Sequence, residues 1–479
     1  MAYKIVKDIH SKIFRGYDLR GVVDEDLNPD IYYTLGRAYA TWLSRRRIPD
    51  AVVGRDNRTS SEAYAKAFIE GLNDGGINTY NLGLALSQVV YFGSYEFKTK
   101  GGAMITASHN PREYNGLKLS KGYSETFETP DIIAFRELAA SGEFSEPLEK
   151  GTNKEVNIMD SYIETVLKFF NLKKKWKIVV DASNTTSGIW YPEVLRRAGC
   201  EVIEQNCELN GDFPLGAPDP TEKYVLERLG KGVIEHHADI GLAYDTDGDR
   251  MAVVDENGAT LWMDSIVALF ADDVLDTMPN APIVFNNLCS KTVSEVIERR
   301  GGEPIMWITG HSFIKSKIKE IGAPFGGELS GHIFFVDNFF GHDDGAYASL
   351  RLLQYLERKN LTVSEAVAKL PRYIDSPEIK LGLADEIKFD FIKNVITKDL
   401  HDVFDAESAE YNTIDGIRMD TPTTMAVVRA SQNGPYITIK FSAATEPEYE
   451  KMKTIISKIL KSHPEIDWSV GVNIDELGE

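Results

Sequence analysis

The sequence predicts an α/β protein of several domains, and three observations carry that expectation. Short β-rich apolar runs alternate with amphipathic helical stretches. The alternation recurs three times, about a hundred residues apart, as similar domains in series would produce. Beyond Pro371 the character shifts to two strands around a polar turn and one following helix, a smaller α+β unit. With 479 residues the chain exceeds one compact domain, and domains of ~100–150 residues would give three or four.

The elements follow in order. Ala51-Val52-Val53-Gly54 is a buried-strand run ahead of the helical pattern Ala63 to Leu72. Gly101 to Thr106 reads as a strand leaving its sheet. Gly142 to Gly151 is acidic and polar, a first linker. Lys177 to Asp181 is a strand that leads through Ser183-Asn184-Thr185-Thr186 into a helix ending at Ala198-Gly199. Asp239 to Tyr244 and Met251 to Asp255 read as strands around a tight loop, and Asp255-Glu256-Asn257-Gly258 is a turn. Pro282 to Phe285 precedes the helix Ser290 to Arg300. Lys369-Leu370-Pro371-Arg372 stops a helix and opens the last unit, with strands Met425 to Val428 and Tyr436 to Phe441 and the helix Glu446 to Lys461. These cues divide the chain into 1–153, 154–256, 257–368 and 369–479.

Composition narrows the class of function. The hydrophobic fraction of 43% and charged fraction of 26% are those of a soluble globular protein. A net charge of −20 disfavours nucleic acid and anionic membrane as partners, so an anionic substrate needs locally placed cations. The basic runs Arg45-Arg46-Arg47 and Lys173-Lys174-Lys175 read as solvated faces. Cys200, Cys207 and Cys289 are odd in number and form no C-x-x-C, which suits reduced thiols. Met1 to Gly16 lacks the apolar core of a signal peptide, and no apolar run approaches the ~18 residues that span a bilayer. The expected compartment is the cytoplasm.

Two segments carry the sharpest chemistry. Thr106-Ala107-Ser108-His109-Asn110-Pro111 offers a hydroxyl in a short loop at the end of a strand, where α/β folds place their sites. It is not a hydrolase elbow. In an extended segment the side chains of Ser108 and His109 diverge, so no simple Ser-His pair is expected. Asp245-Thr246-Asp247-Gly248-Asp249-Arg250 sets three carboxylates at every second position, and the small Thr246 and Gly248 let them converge. Like charges this close repel, and a hard divalent cation is the remedy. A calcium EF-hand would need Gly where Arg250 stands, and helices on both flanks. A hydroxyl able to carry phosphate and carboxylates able to hold a cation together suit phosphoryl transfer.

Two further segments are weaker alone. In Gly326-Gly327-Glu328-Leu329-Ser330-Gly331-His332, an extended loop would turn Glu328, Ser330 and His332 to one side. A carboxylate there can accept from two neighbouring sugar hydroxyls. Val428 to Tyr436 joins a guanidinium, a hydroxyl and two amides to a Gly-Pro turn, a mixture that can cradle a phosphate dianion.

In this order the four segments resemble the α-D-phosphohexomutase family, nearest its bacterial phosphomannomutase/phosphoglucomutase branch. Phe14 to Gly21, Gly54 to Arg58 and Trp307 to Ser312 extend the likeness over nearly the whole chain. The resemblance implies four domains around a central cleft, three related α/β domains with mixed sheets and a smaller α+β domain at the C-terminus. It implies an isomerase that interconverts hexose 1-phosphate and hexose 6-phosphate, of mannose or glucose, through a phosphoserine and a 1,6-bisphosphate. Ser108 would be the phosphoserine, with Mg²⁺ held by Asp245, Asp247, Asp249 and the Ser108 phosphate. His109, Lys118, Arg250 and His332 would serve the transfer, Lys118 as acid or base. Glu328 and Ser330 would read sugar hydroxyls, and His311 would lie near the reacting end. Tyr17, Arg20, Arg429, Ser431, Gln432 and Asn433 would grip the substrate and its idle phosphate. A hexose 1,6-bisphosphate activator, hexose phosphates as the only partners, and a monomer or weak dimer are likewise implied.

Two departures touch substrate grip. Gln432-Asn433-Gly434 replaces the family's Asn-Thr-x, losing a hydroxyl, and Leu288 stands where the bacterial branch tends to carry Lys. Lys291 is nearby but off register. A phosphoglucosamine mutase, a Mg²⁺-dependent sugar-phosphate phosphatase and a non-catalytic sugar-phosphate binder are the competing readings. A second phosphate grip is superfluous in a phosphatase, and an intact Ser108 and aspartate set is superfluous in a binder.

Overall fold

The structure, a computed structural model, describes residues 2–404 and 408–478. It divides into two compact units, Met1–Leu261 with Ser330–Ala366, and Trp262–Leu329 with Val367–Glu479.

The first unit holds two mixed sheets. The first runs in the order Leu19–Val22, Tyr114–Leu119, Gly101–Ile105, Asp50–Arg55, Asn78–Leu84, Asn153–Glu155. Its Asp50–Arg55 strand is central, parallel to both neighbours, because Ala51, Val52 and Val53 are buried on both faces. Asn153–Glu155 pairs with Asn78–Leu84, so the chain stays with this sheet past the polar 142–151 stretch. Helix Pro29–Ser44 starts on an Asn28 cap with Pro29 in its first turn. It crosses helix Ser61–Asp74 at Gly36 and Gly71; a Cβ on Gly36 would lie 2.3 Å from Phe68 O, so only glycine permits that approach.

The second sheet runs Thr260–Leu261, Met251–Val254, Ile240–Tyr244, Lys177–Asp181, Glu201–Gln205. Met251–Val254 returns antiparallel to Ile240–Tyr244, which fixes the aspartate loop between them. With strands on both flanks, an EF-hand is excluded here.

In the second unit, Pro282–Asn286 lies parallel to Glu303–Trp307 and Phe325–Gly327, and helices Met263–Thr277, Lys291–Arg299 and His311–Ile321 accompany these strands. The C-terminal sheet is antiparallel, in the order Glu410–Asn412, Ile417–Asp420, Thr424–Ala430, Tyr436–Ala443, Ile379–Gly382, Asp467–Val472. Helix Glu446–Lys461 buries Tyr449, Met452, Ile456 and Leu460 against it. The fold is therefore three α/β domains with mixed sheets and a β-rich C-terminal domain. The basic runs 45–47 and 173–175 are exposed, and all three cysteines are buried and free. Among the described residues no helix is long and apolar enough to cross a membrane.

Candidate active site

Strand Gly101–Ile105 delivers the serine loop at its carboxyl end, and two buried guanidinium groups hold that loop by its carbonyls. Arg58 Nη2 donates to Ser108 O and Asn110 O, each at 2.6 Å, and Arg58 Nη1 donates to Pro111 O at 2.7 Å. Asp56 anchors it in turn, accepting from Arg58 Nε at 3.1 Å. Arg20 Nη1 donates to Ala107 O and to Asn110 Oδ1, while Asp18 accepts from its Nε and Nη2. A buried charge of this kind is tolerable because every face of it is paired.

Within this clamp Ser108 takes a left-handed conformation, φ +50°, and its amide donates to Thr106 Oγ1 at 2.8 Å. That backbone overturns the expectation of diverging Ser108 and His109 side chains. The segment is not extended, so Ser108 Oγ and His109 Nδ1 lie within hydrogen-bond distance, 3.2 Å apart.

Ser108 Oγ donates to Asp245 Oδ2 at 2.7 Å. Asp245, Asp247 and Asp249 are wholly buried, with one oxygen of each within 4.8 Å of the others. The loop's carbonyls are occupied elsewhere. Ser187 Oγ donates to Asp245 O, Ser87 N to Asp247 O, and Tyr191 Oη to Gly248 O. Gly248, at φ +72°, is required: a Cβ there would lie 2.6 Å from Tyr191 Oη. What the loop offers inward is carboxylate. Asp247 Oδ1 and Asp249 Oδ1 are buried without a hydrogen-bond partner, and buried carboxylate oxygens in that state suit a hard cation. The three aspartates can therefore hold a metal ion.

Lys118 answers part of this charge. Its Nζ donates to Asp247 Oδ2 at 2.6 Å and also to Asp249 Oδ2. Burial works against the ammonium, but Asp247 and Asp249 outweigh it and hold its pKa well above the usual lysine value. The same pairing outweighs burial at Asp247 and holds that carboxyl down at about 2. Burial, then the charges of Asp247 and Asp249, push Asp245 well above the carboxylate range. Ser87, which lies in none of the motifs above, donates from Oγ to Asp247 Oδ2 at 2.6 Å.

Arg250, next to the loop, donates from Nε to His332 Nε2 at 3.0 Å, and the opposite ring nitrogen of His332 is 2.9 Å from Asp343 Oδ2. Asp219 Oδ2 lies 3.9 Å from both His109 Nε2 and Arg250 Nη1. Burial lowers the Arg250 pKa, but Asp219, Asp245 and Asp249 more than restore it. Tyr17 is buried, with Arg20 and Arg250 among its charged neighbours.

The alternation expected of Glu328, Ser330 and His332 does not hold. The chain turns through 329–331, with Gly331 at φ +91°, so the three residues share no extended face. Glu328 belongs to the second unit, where its Oε1 accepts from Gly310 N at 2.7 Å; half-buried Ser330 and buried His332 belong to the first. His311, buried, opens the following helix. In the second unit Arg429 Nε donates to Asp415 Oδ2 at 2.7 Å. Asn433 N donates to Ser431 Oγ at 3.1 Å, and Gln432 sits half-exposed between them.

Sequence models of phosphoglucomutase/phosphomannomutase α/β/α domains I, II and III match residues 11–144, 160–258 and 262–373. The chain belongs to this family of α-D-phosphohexomutases. It is 36% identical to a phosphomannomutase/phosphoglucomutase of Pseudomonas putida, over 97% of this chain and 99% of that one. It is 34% identical to a phosphoglucomutase of Neisseria gonorrhoeae, over 95% and 98%. A crystal structure of a phosphoglucomutase/phosphomannomutase family protein from Burkholderia thailandensis superposes with a TM-score of 0.85 at 30% identity, covering 95% of this chain and 98% of that one.

Against the pattern of the mutase family, the structure brings together Ser108, His109, Lys118, the three aspartates, Arg250 and His332, all in the first unit. The hydrogen bonds of Arg20 go to Asp18 and the serine loop. Leu288 is buried, flanked by Asn287 O and Cys289 O, which both accept from Arg418 Nη1. Lys291 donates to Thr421 O. Sequence reasoning missed Asp56, Ser87, Asp219, Asp343 and Asp415. Ser87 and Asp219 gain their meaning from partners far along the chain, and Asp56, Asp343 and Asp415 from nearer ones, Arg58, His332 and Arg429, that only the folded chain brings into contact; only the Gly54 to Arg58 likeness hinted at one of them.

Proposed function

We propose that this hexose-phosphate mutase, an isomerase, works through a phosphoserine at Ser108 and a hexose 1,6-bisphosphate, with Mg²⁺ held by Asp245, Asp247 and Asp249. The observation that carries the reading is the 2.7 Å hydrogen bond from Ser108 Oγ to Asp245 Oδ2, joining residues 137 apart in the chain. It brings the hydroxyl of Ser108 to a cluster of three aspartates.

Bound there, Mg²⁺ would neutralise charge on a phosphoryl group carried by Ser108. The chain's own groups do the rest. Arg20 and Arg58 keep the serine loop from relaxing. The bond from phosphorus to Ser108 Oγ breaks as a bond forms to a free hexose hydroxyl. The hydroxyl proton passes to His332 Nε2, where the substrate takes the place of Arg250 Nε. The charge of Asp343 beside Nδ1 favours the ring tautomer that leaves Nε2 as acceptor. Ser108 Oγ regains a proton from His109. The bisphosphate reorients, and its other phosphoryl group returns to Ser108 with both proton transfers reversed. Arg429, Ser431, Gln432 and Asn433 grip the phosphate that is idle, and Glu328, Ser330 and His311 contact the sugar. In this assignment 1–153 carries the serine, 154–256 the metal loop, 257–368 the sugar reader and 369–479 the phosphate grip.

The names of the relatives support mannose and glucose phosphates as substrates, and a hexose 1,6-bisphosphate activator follows from the proposed intermediate. Glucose 1-phosphate with Mg²⁺ and a trace of glucose 1,6-bisphosphate should give glucose 6-phosphate, and intact-protein mass should locate one phosphate on Ser108. Ser108→Ala should lose both. Failure with every hexose and hexosamine phosphate, or release of inorganic phosphate as fast as substrate disappears, would sink the assignment.

A further inference from the structure

Two neighbouring amides on one turn of the second unit point at two different carboxylates. Thr309 N donates to Asp415 Oδ2 at 2.9 Å, and Gly310 N donates to Glu328 Oε1 at 2.7 Å. Asp415 Oδ2 is also the acceptor for Arg429 Nε. The group that anchors the phosphate loop's guanidinium and the carboxylate read above as the sugar reader thus hang from successive links of one backbone.

The surroundings make that arrangement stiff. Asn287 Nδ2 donates to the Asp415 carbonyl at 2.6 Å, and Asn287 Oδ1 accepts from Thr309 Oγ1 at 3.2 Å. Asn286 Oδ1 accepts from Leu329 N, next to Glu328, at 3.0 Å. Gly416, at φ +78°, presses the Asp415 turn onto the strand of Arg429, where a Cβ would meet Val428 O at 2.4 Å. Asp415, Glu328 and Arg429 are all buried. A guanidinium held at Nε keeps its terminal nitrogens for a phosphate, and a site with two fixed contact points discriminates by the distance between them.

We propose that Asp415 is a positioning residue, which through the Thr309-Gly310 turn fixes the span between the phosphate grip at Arg429 and the sugar reader Glu328. The inference rests on the substrate-binding roles proposed for those two residues. It assigns to Asp415 a part of substrate specificity that no motif in the sequence signals.

The test is a double-mutant cycle. Asp415→Asn keeps the shape and removes the charge that anchors Arg429. It should raise KM for glucose 1-phosphate about tenfold, the order expected for losing one charge-assisted hydrogen bond. The kcat and the rate at which phospho-Ser108 is lost to water should stay near wild type. In an Arg429→Ala background the same change should have no further effect, since Asp415 acts through Arg429. An Asp415→Asn effect that persists undiminished without Arg429, or a KM within twofold of wild type, overturns the proposal. If Asp415→Asn does not fold, Asn287→Ala loosens the Asp415 carbonyl instead, and the same KM rise, absent in Arg429→Ala, is required. A wild-type protein inactive on every hexose phosphate would be a failure of the mutase reading itself, seen before any variant is made.

Discussion

Arg250 Nε donates to His332 Nε2 at 3.0 Å, and this single bond dictates the state of the histidine. A ring nitrogen that accepts must be unprotonated, so the proton of neutral His332 sits on Nδ1, facing Asp343 Oδ2 at 2.9 Å. Asp343 stands 2.9 Å from that nitrogen, and its charge favours the tautomer that a proton acceptor at Nε2 needs. Asp343→Asn offers an amide that can favour the opposite tautomer. It should lower kcat by about 10²-fold, the lower end of what general acid–base groups supply, with KM and melting temperature little changed. His332→Ala should cost at least as much, and adding Asp343→Asn to it should cost nothing more. Steady-state kinetics of the three variants decide the matter, and an Asp343→Asn enzyme with wild-type kcat refutes the role.

Lys118 neutralises the carboxylates that a bound metal ion would also neutralise. Its Nζ donates to Asp247 and Asp249, both wholly buried. Lys118→Met leaves two buried carboxylates without their counter-charge, and breaking one partner of a buried ion pair costs about 3–5 kcal/mol. In a chelator the variant should melt well below wild type. Millimolar Mg²⁺ should then raise its melting temperature more than it raises that of the wild type, because the ion restores what the ammonium supplied. Equal shifts in the two proteins would mean that the aspartates do not hold the ion.

Gly248 is the hinge on which the aspartates converge. It combines φ +72° with the contact of 2.6 Å that a Cβ would make to Tyr191 Oη. Gly248→Ala should cost about 1–3 kcal/mol in stability from the strained backbone, and should weaken the response to Mg²⁺ by splaying Asp247 and Asp249. Thermal melts with and without the ion check both effects. A variant as stable and as responsive as the wild type would show that the loop has slack the geometry does not suggest.

Much of this was legible from local pattern. The strand Lys177–Asp181 and the helix Glu446–Lys461 end where periodicity places them, because an apolar run and an amphipathic stretch are decided by near neighbours. The aspartate loop was legible for the same reason: alternation, small intervening residues and flanking strands are all short-range features. Ser108 beside His109 was not, since the left-handed backbone at Ser108 is imposed by Arg58 and Arg20 pulling on carbonyls from 50 and 87 residues away. Glu328 and Ser330 misled for a related reason. Alternation implies a shared face only in an extended chain, and Gly331 turns this one. Asp343, beside Asp344, and Asp415 lie in no recognisable motif, and only the fold shows that one faces His332 and the other Arg429.

One buried carboxyl should make stability fall with rising pH. Asp375 is pushed up from 3.8 to about 7, first by burial and then by the charge of Asp264, against the opposing pull of Lys440. Lys440 Nζ lies 2.8 Å from Asp264 Oδ2 and 3.6 Å from Asp375 Oδ1, so one ammonium serves two carboxylates and Asp375 is the lesser partner. Below about pH 4 both folded and unfolded chains hold the Asp375 proton. Between 3.8 and about 7 the folded chain keeps it and the unfolded chain does not, so the contribution to stability drains away as pH rises through that window. Above it the whole penalty is felt, on the order of a few kcal/mol. Asp375→Asn has no proton to lose at this position. Its melting temperature relative to wild type should therefore climb from pH 5 to about pH 7 and level off towards pH 8. A difference between the two proteins that stays constant across that range would mean that Asp375 titrates as an ordinary carboxyl.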